Sequence, residues 1–286
     1  MATLKIIRKR ITSIRNTQQI TKAMKMVSAA KLRRAQEAAL LARPYADKMN
    51  DILTNVSARV SRAAHPLLAT REEKRVQLVL VTSDRGLCGG YNANLVRAAE
   101  TFMRNHGAGK EILLALVGRK GADYYRRRRG ETGERYLNFL SMPAEELAAV
   151  IAEKLIARFV DGETDAVYLL YSHFRSALSQ VPTLEKILPV DLSESQEPEQ
   201  LTEYLYEPGA DELLSSLLPK ITEIKVQRAL LEATASEHGA RMTAMDSATT
   251  NASKMMGSLT LQMNRARQAS ITRELMEIVG TAEALK

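Results

Sequence analysis

The chain has 286 residues, 45% of them hydrophobic, and a formal net charge of +8, which allows one large or two small domains with a substantial core. It contains no run of about 18 or more apolar residues, and its basic start lacks an apolar stretch, so we expect neither a transmembrane helix nor a secretory signal peptide. A single cysteine, Cys88, excludes an internal disulfide and a cysteine-based zinc site. Aromatic residues make up only 5% of the chain, which argues against a surface that stacks nucleic-acid bases.

The positive charge is concentrated at the N-terminal end. Residues 1–60 carry thirteen Lys or Arg and three Asp or Glu, a net charge of +10, whereas residues 61–208 carry nineteen and twenty-one and residues 209–286 carry nine of each. A basic helix can bind nucleic acid, an anionic membrane surface or an acidic protein partner, and it can also be a solvated face. Charge alone leaves these alternatives open.

The first predicted element is a long helix with a heptad pattern. Between Leu4 and Ala63, fourteen of the eighteen positions spaced alternately three and four residues apart are apolar, which predicts a coiled-coil helix. Pro44 lies inside it, so we expect a kink or a local adjustment there.

Four consecutive heptad positions of this helix are polar. They are Gln18, Thr21, Lys25 and Ser28, and the nearby apolar residues lie on a different stripe, formed by Ile20, Ala23, Met24 and Val27. Either the helix turns an apolar face toward a second partner here, or a polar layer sets the register of the helix pair. Both interpretations remain open at this point.

Apolar runs predict strands in the central region. They cover residues 76–82, 112–118, 166–171 and 183–190, and helical patterns lie around 91–105 and 143–160. Strands that alternate with helices predict a small, mostly parallel α/β sheet, and the polar, acidic residues 191–208 are typical of a linker. We therefore expect three parts: an N-terminal helix at 1–63, a central α/β domain at 64–208 and a C-terminal helix at 209–286.

The C-terminal helix carries a second heptad seam. Thirteen of sixteen positions from Leu214 to Ala266 are apolar, and beyond Ser270 the seam shifts to a different stripe. Two long seams at opposite ends of one chain are satisfied most simply by antiparallel pairing with each other. The C-terminal helix is the longer, so part of it must remain unpaired or find another partner.

Few residues are candidates for chemistry. The segment Ser83–Asn92 follows a strand where α/β sheets bind phosphates, but it lacks the spacing of a P-loop or a dinucleotide fingerprint, which favours a tight turn. Cys88 fits a buried structural cysteine better than a nucleophile. The four histidines have no metal-ligand spacing, and the run Arg126–Arg129 is an anion site or a solvated helix end. We expect no catalytic residue, metal site or cofactor.

Five recognisable segments span the whole chain in order: Ile11–Arg33, Ser83–Asn92, Tyr204–Pro208, Ala244–Ala252 and Asn264–Gly280. Together they resemble the γ-subunit family of F-type ATP synthases. The end of the last motif reads Gly280-Thr281-Ala282 where the family usually has Gly-Gly-Ala. There is no second cysteine for the thiol switch of the chloroplast form.

The resemblance implies a coiled coil of the two terminal helices, a Rossmann-like central domain and a non-catalytic role. The chain would be a shaft that couples proton flow through the membrane c ring to ATP synthesis or hydrolysis at the catalytic β subunits. Its partners would be the α, β and ε subunits and the c ring, with no nucleic acid. The chain would be a peripheral membrane protein on the cytoplasmic face of a bacterial inner membrane. A coiled-coil nucleic-acid binder and a small α/β enzyme are the competing classes.

The resemblance also assigns residues to contacts. Contacts to β fall on Lys22, Met24, Lys25, Arg267 and Gln268. Contacts to the c ring fall on Tyr204, Tyr206 and Glu207. The residues expected in an apolar bearing at the shaft tip are Ile271, Leu275, Ile278 and Leu285.

Overall fold

The computed structural model describes residues 2–57, 65–107, 109–129, 133–191 and 209–284 as a mixed α/β chain with a long helix at each end. The helices are α1 (Ala2–Ser57), α2 (Tyr91–His106), α3 (Arg119–Arg129), α4 (Ala144–Val160) and α5 (Ala210–Ala284). The strands are β1 (Arg75–Val81), β2 (Glu111–Val117), β3 (Arg135–Tyr136), β4 (Ala166–Phe174) and β5 (Gln180–Leu188). The predicted fold class is confirmed.

The residues group into two compact units. The first contains Met1–Ser28 and Met242–Lys286, and the second contains Ala29–Arg241, so α1 and α5 each contribute to both. Helix α1 is continuous through Pro44. Within the described ranges, no helix is both long enough and apolar enough to cross a bilayer.

In the first unit the two terminal helices run antiparallel. The cross-helix contacts are Lys25 with Asp246, Thr21 with Thr249 and Gln18 with Ser253. As the residue number falls along α1, the number of its partner on α5 rises, which is the mark of antiparallel helices. In this unit the predicted seam positions are buried or half-buried, from Leu4 to Ser28 of α1 and from Met242 to Ala266 of α5. Antiparallel pairing of the terminal helices, inferred from the heptads, is thereby confirmed.

The second unit is built on a five-stranded sheet of order β3-β2-β1-β4-β5. Strands β1 to β4 pair in parallel, and β5 is antiparallel to β4. The four predicted strands are present within a few residues of their expected bounds. The two-residue strand β3 and the helix α3 were not predicted as elements, because β3 is too short to have a periodicity and α3 is mostly charged.

Helices cover both faces of this sheet. On one face, α2 and α3 pack against side chains such as Leu78 and Leu116. On the other face, α4 packs with the end of α1 and the beginning of α5 against side chains such as Val79 and Leu169. Burial on both faces explains why the central strands are continuous apolar runs.

Candidate functional site

A polar layer joins α1 and α5 in the first unit. The hydroxyl groups of Thr21 and Thr249 lie 2.8 Å apart, and the Lys25 ammonium lies 2.6 Å from the Asp246 carboxylate. Thr21 and Ser28 are buried. The polar heptad positions therefore face the helix partner, as the register-setting interpretation predicted.

The apolar stripe beside this layer points outward. Ile20 is 60% exposed and Val27 is 56% exposed, while Met24 is half-buried and Lys22 is exposed. The polar residues thus pair the helices, and the apolar stripe faces away from that pair. A contact of this stripe with a second partner stays a prediction. Lys25, a predicted partner contact, is engaged with Asp246 but remains partly exposed.

The C-terminal end of α5 is a solvent-exposed helix. Arg267 and Gln268 are exposed, and every residue from 271 to 281 is exposed, including the predicted bearing residues Ile271, Leu275 and Ile278. The side chain of the fourth bearing residue, Leu285, lies outside the described residues. So do the predicted c-ring contacts Tyr204, Tyr206 and Glu207.

The segment Ser83–Asn92 forms a tight turn between β1 and α2. Ser83 Oγ donates to the Arg85 carbonyl at 2.7 Å, and the Asn92 amide nitrogen donates to Ser83 Oγ at 2.7 Å. The Asp84 carboxylate accepts the backbone N–H groups of Arg119 and Asn138 at 3.0 and 2.9 Å. The polar side chains of this turn bond the turn itself and its neighbours, which agrees with the tight turn expected from sequence.

Arg241 of α5 forms hydrogen bonds with the backbone of this turn. It donates to the Arg85 carbonyl at 3.1 Å and to the Gly86 carbonyl at 3.2 Å, and its other terminal nitrogen lies 2.8 Å from Glu237 Oε1. Glu237 is 2% exposed, and burial raises the pKa of its carboxyl, although Arg241 opposes that shift. The pair is a buried charge cluster that fixes the turn on α5.

Glu237 and Arg241 were not predicted as a pair from the sequence. The available signal was an oppositely charged pair at i,i+4 directly beside the heptad position His238. Because that pattern is common on solvated helix faces, it did not distinguish a buried cluster from a surface pair.

Cys88 and His238 are both buried in the packed interior of the chain. Cys88 is buried, and desolvation raises the pKa of its thiol, which disfavours the nucleophilic thiolate. Burial, Arg241 and Lys31 lower the pKa of His238 to about 4, so it is neutral at physiological pH. Across the described parts of the chain, no three His, Cys, Asp or Glu side chains come together as a possible metal site.

A cleft of about 830 Å³ lies beside α1, α5 and the end of β4 in the second unit. Three of its titratable groups are paired with each other, since Glu232 bonds both His173 and Arg228. The remaining lining combines apolar and polar side chains with four further charged ones, Arg43, Asp47, Glu145 and Lys220.

Comparison with known proteins identifies relatives over the full length. A family model described as ATP synthase matches residues 3–285. The chain is 53% identical to the ATP synthase gamma chain of Geobacter metallireducens and 50% identical to that of Geotalea daltonii, with 100% of each chain covered.

Solved structures are also similar. A chain in the central stalk and c-ring structure of the Tetrahymena thermophila mitochondrial ATP synthase aligns with a TM-score of 0.62 and 28% identity, covering 80% of this chain and 99% of that one. A chain of the Euglena gracilis mitochondrial ATP synthase has a TM-score of 0.71 at 21% identity, covering 99% and 95%, which shows the shared fold. The full-length identity to bacterial relatives goes further: this chain belongs to the ATP synthase gamma-chain family.

Proposed function

We propose that this chain is the central-stalk γ subunit of a bacterial F-type ATP synthase, a non-catalytic shaft that couples proton flow through the c ring to ATP synthesis or hydrolysis at β. The observation that carries the proposal is the 53% identity to a named gamma chain over the whole of both sequences. The paired helices of the first unit and the exposed end of α5 supply the surfaces that a shaft requires.

In the proposed mechanism, rotation of the shaft changes which conformation each catalytic subunit populates. A shaft whose sides differ makes different contacts with three otherwise equivalent catalytic subunits, so each rotational position stabilises a different conformation in each of them. The proposed β contacts are made by Lys22, Met24 and Lys25 on α1 and by Arg267 and Gln268 on α5. The exposed apolar residues after Ser270, together with Leu285, form the part that turns in an apolar bearing.

The remaining assignments complete this proposal. Residues 1–63 and 209–286 are the shaft, and residues 64–208 are the domain that connects it to the base. Tyr204, Tyr206 and Glu207 contact the c ring, and ε binds near them. The protein lies on the cytoplasmic face of the inner membrane without entering the bilayer.

The test is reconstitution. The chain is co-expressed with the α and β subunits of the same source, and ATP hydrolysis is measured with and without it. We expect a stable complex with three α, three β and one copy of this chain, and sustained turnover that depends on that copy. If no complex forms although α and β are well folded, the proposal is wrong, and titration of the chain with duplex DNA against salt concentration tests the competing class.

The residue assignments need a separate experiment. In the assembled complex, Lys22→Glu combined with Lys25→Glu should weaken the coupling of hydrolysis to proton pumping, because both charges would repel an acidic partner. Reversal of Lys254, an exposed cation of α5 outside the proposed contacts, is the matched control. Unchanged hydrolysis and pumping in the double variant would refute the assignment of these two lysines.

A further inference from the structure

The two helices on one face of the central sheet carry a large excess of positive charge. Helices α2 and α3 contain eight Lys or Arg and two Asp or Glu, a net charge of +6. The other residues between 61 and 208 contain eleven and nineteen, a net charge of −8. The positive charge of the central region is thus concentrated on this pair of helices, which pack together against the sheet.

The topology brings the ends of these helices to one edge of the sheet. Strands β1, β2 and β3 are parallel, so α2 and α3, which connect them, must each return to the edge where the strands begin. Arg104 lies in the last turn of α2, and Arg126, Arg127 and Arg128 lie near the end of α3. All four are exposed, and we call them the basic edge.

Neighbouring groups neutralise little of the basic edge. Arg126 pairs with Asp123 at 3.4 Å, but the two side chains are 61% and 42% exposed, so water screens the attraction. Within the ranges that the structure describes, neither Arg104 nor Arg127 forms an ion pair. Consecutive helix positions point about 100° apart, so Arg126, Arg127 and Arg128 do not converge on one small anion. Their spread suits an extended anionic surface.

The course of α5 shows on which side of the second unit this edge lies. Near the beginning of α5, Ser216 and Pro219 line a surface cleft with Asp161, which follows α4 and precedes the start of β4. Further along, Arg241 binds the carbonyl of Gly86, beyond the end of β1. Helix α5 therefore runs from the edge where the parallel strands begin toward the edge where they end.

The proposed function puts the membrane at the same edge. The proposed c-ring contacts Tyr204, Tyr206 and Glu207 stand directly before Gly209 and the start of α5 in the chain. A c ring bound there lies on the side where the strands begin, which is also the side of the basic edge.

We propose that the basic edge binds the anionic lipid headgroups of the membrane that holds the c ring. The inference rests on the proposed function, which supplies the direction of the membrane. Lys and Arg close to an anionic leaflet are attracted to it over about one Debye length. A fluid lipid surface presents the same charge in every direction, so this attraction persists while the shaft turns. A residue-specific contact with a stationary protein would be broken by rotation.

Vesicle binding by the assembled complex tests the proposal. The chain is combined with α and β, which engages the lysines of α1 in their proposed contacts, and the complex is sedimented with vesicles. We expect binding to phosphatidylcholine mixed with phosphatidylglycerol, no binding to phosphatidylcholine alone, and weaker binding at higher salt. Arg126→Gln, Arg127→Gln and Arg128→Gln together should weaken binding by about fivefold for each charge removed.

A second triple variant removes the same charge from the same two helices. Arg97, Arg119 and Lys120 are exposed but lie in the middle of α2 and at the start of α3, away from the basic edge. Their joint replacement with Gln should leave vesicle binding nearly unchanged. Lysine at the three edge positions of α3 keeps the charge and should keep the binding. Sustained ATP hydrolysis by each complex shows that the variant chain is folded and assembled.

Four results would overturn the inference. If an active wild-type complex does not bind the mixed vesicles, or if the edge variant binds them as well as wild type, the basic edge is wrong while the proposed function stands. Equal losses in both glutamine variants would assign the binding to net charge instead of this edge. If the edge variant loses affinity for duplex DNA but not for vesicles, the partner is a nucleic acid. If wild-type chain does not assemble with α and β, the proposed function fails and the inferred direction of the membrane fails with it.

Discussion

Arg241 is a buried guanidinium with an acceptor for each of its three nitrogens. It binds the carbonyls of Arg85 and Gly86, the carboxylate of Glu237 and the ring of His238. A buried ion pair of this kind contributes little net stability compared with apolar packing, but removal of one partner leaves an uncompensated charge. The cluster therefore acts mainly to specify where the turn sits on α5.

This asymmetry gives the first prediction. Arg241→Met should destabilise the chain by about 3–5 kcal/mol, because Glu237 is left buried without its counter-ion. Adding Glu237→Gln to that variant should restore part of the loss. Urea unfolding of the two variants measures both effects.

A pair with the same spacing on the same helix is the control. Arg228 and Glu232 are also an i,i+4 pair, but Arg228 is exposed, so Arg228→Met should cost less than about 1 kcal/mol. Equal losses at Arg241 and Arg228 would contradict the assigned burial effect.

Glu73 is a second residue whose charge is tied to the fold. Partial burial opposes its ionisation, but hydrogen bonds from Lys186, Lys110 and Tyr168 outweigh that effect and lower the pKa of Glu73 to about 2. A carboxyl whose pKa is lower in the folded state stabilises the fold above its unfolded pKa and loses that contribution as the pH falls toward its folded pKa. The window here runs from pH 4.5 down to about 2.

The second prediction follows from that window. Glu73→Gln should lower Tm at pH 7 by several degrees, since hydrogen bonds to a charged group contribute about 1.5–3 kcal/mol. It should also flatten the fall of Tm between pH 4.5 and about 2. Glu72→Gln, at the exposed neighbouring carboxylate, should change neither, and a full acid-induced decrease in the Glu73 variant would be inconsistent with the proposed linkage.

At the scale of elements, the polar layer between α1 and α5 fixes the alignment of the two helices and contributes less stability than apolar residues would. Apolar residues at heptad positions stabilise a helix pair, whereas polar ones restrict which alignment is acceptable. The hydroxyl groups of Thr21 and Thr249 meet across this pair, and each also lies within hydrogen-bonding distance of a carbonyl of its own helix. Their removal as a pair leaves no side-chain group without a partner.

The third prediction tests this layer. Thr21→Val combined with Thr249→Val should leave the unfolding temperature unchanged or raise it, because both polar partners are replaced by side chains of the same shape. Circular dichroism during heating measures the change. A clear loss of stability in the double variant would mean that the layer stabilises the pairing itself.

The end of α5 is an element without internal support. Its residues from 271 to 281 are all exposed, so they bury little apolar surface in the isolated chain. Truncation after Ser270 should reduce the helical signal yet change Tm by no more than about 2 °C. A large decrease in Tm would show that this end packs in solution.

At the scale of the whole molecule, charge is the property that varies most along the chain. The first 60 residues carry the entire positive excess, and the central 148 are slightly acidic. An uneven field steers association with a partner of opposite sign, and its effect falls as salt reduces the Debye length. The field is therefore expected to influence how fast the chain joins its complex.

The fifth prediction concerns that rate. Association of the chain with α and β should slow as ionic strength rises, and Lys22→Glu should reduce the rate constant most at low salt. Arg104→Glu reverses an exposed charge in the central region and should have a smaller effect. Stopped-flow mixing measures the association rate of both variants. If the two reversals slow association equally, the attraction comes from the net charge of the chain and not from the basic helix α1.

The long helices, the four main strands and the family could all be predicted from the order of residues. Heptad seams and continuous apolar runs are local patterns that reflect burial directly, so α1, α5, β1 and β4 could be predicted from them. The exposed apolar end after Ser270 could also be predicted, because the seam shifts there. The short strand β3 has no such pattern, and its place in the sheet depends on β2.

Which polar groups meet became visible only in the folded chain. Lys25 and Asp246, or Arg241 and the carbonyl of Gly86, are far apart in the chain, and their contact depends on helix register and on the packing of α5 against the turn after β1. The left-handed conformation of Leu87 was equally hidden, because an adjacent glycine could have adopted it. Such contacts are long-range consequences of packing, and residue spacing carries no record of them.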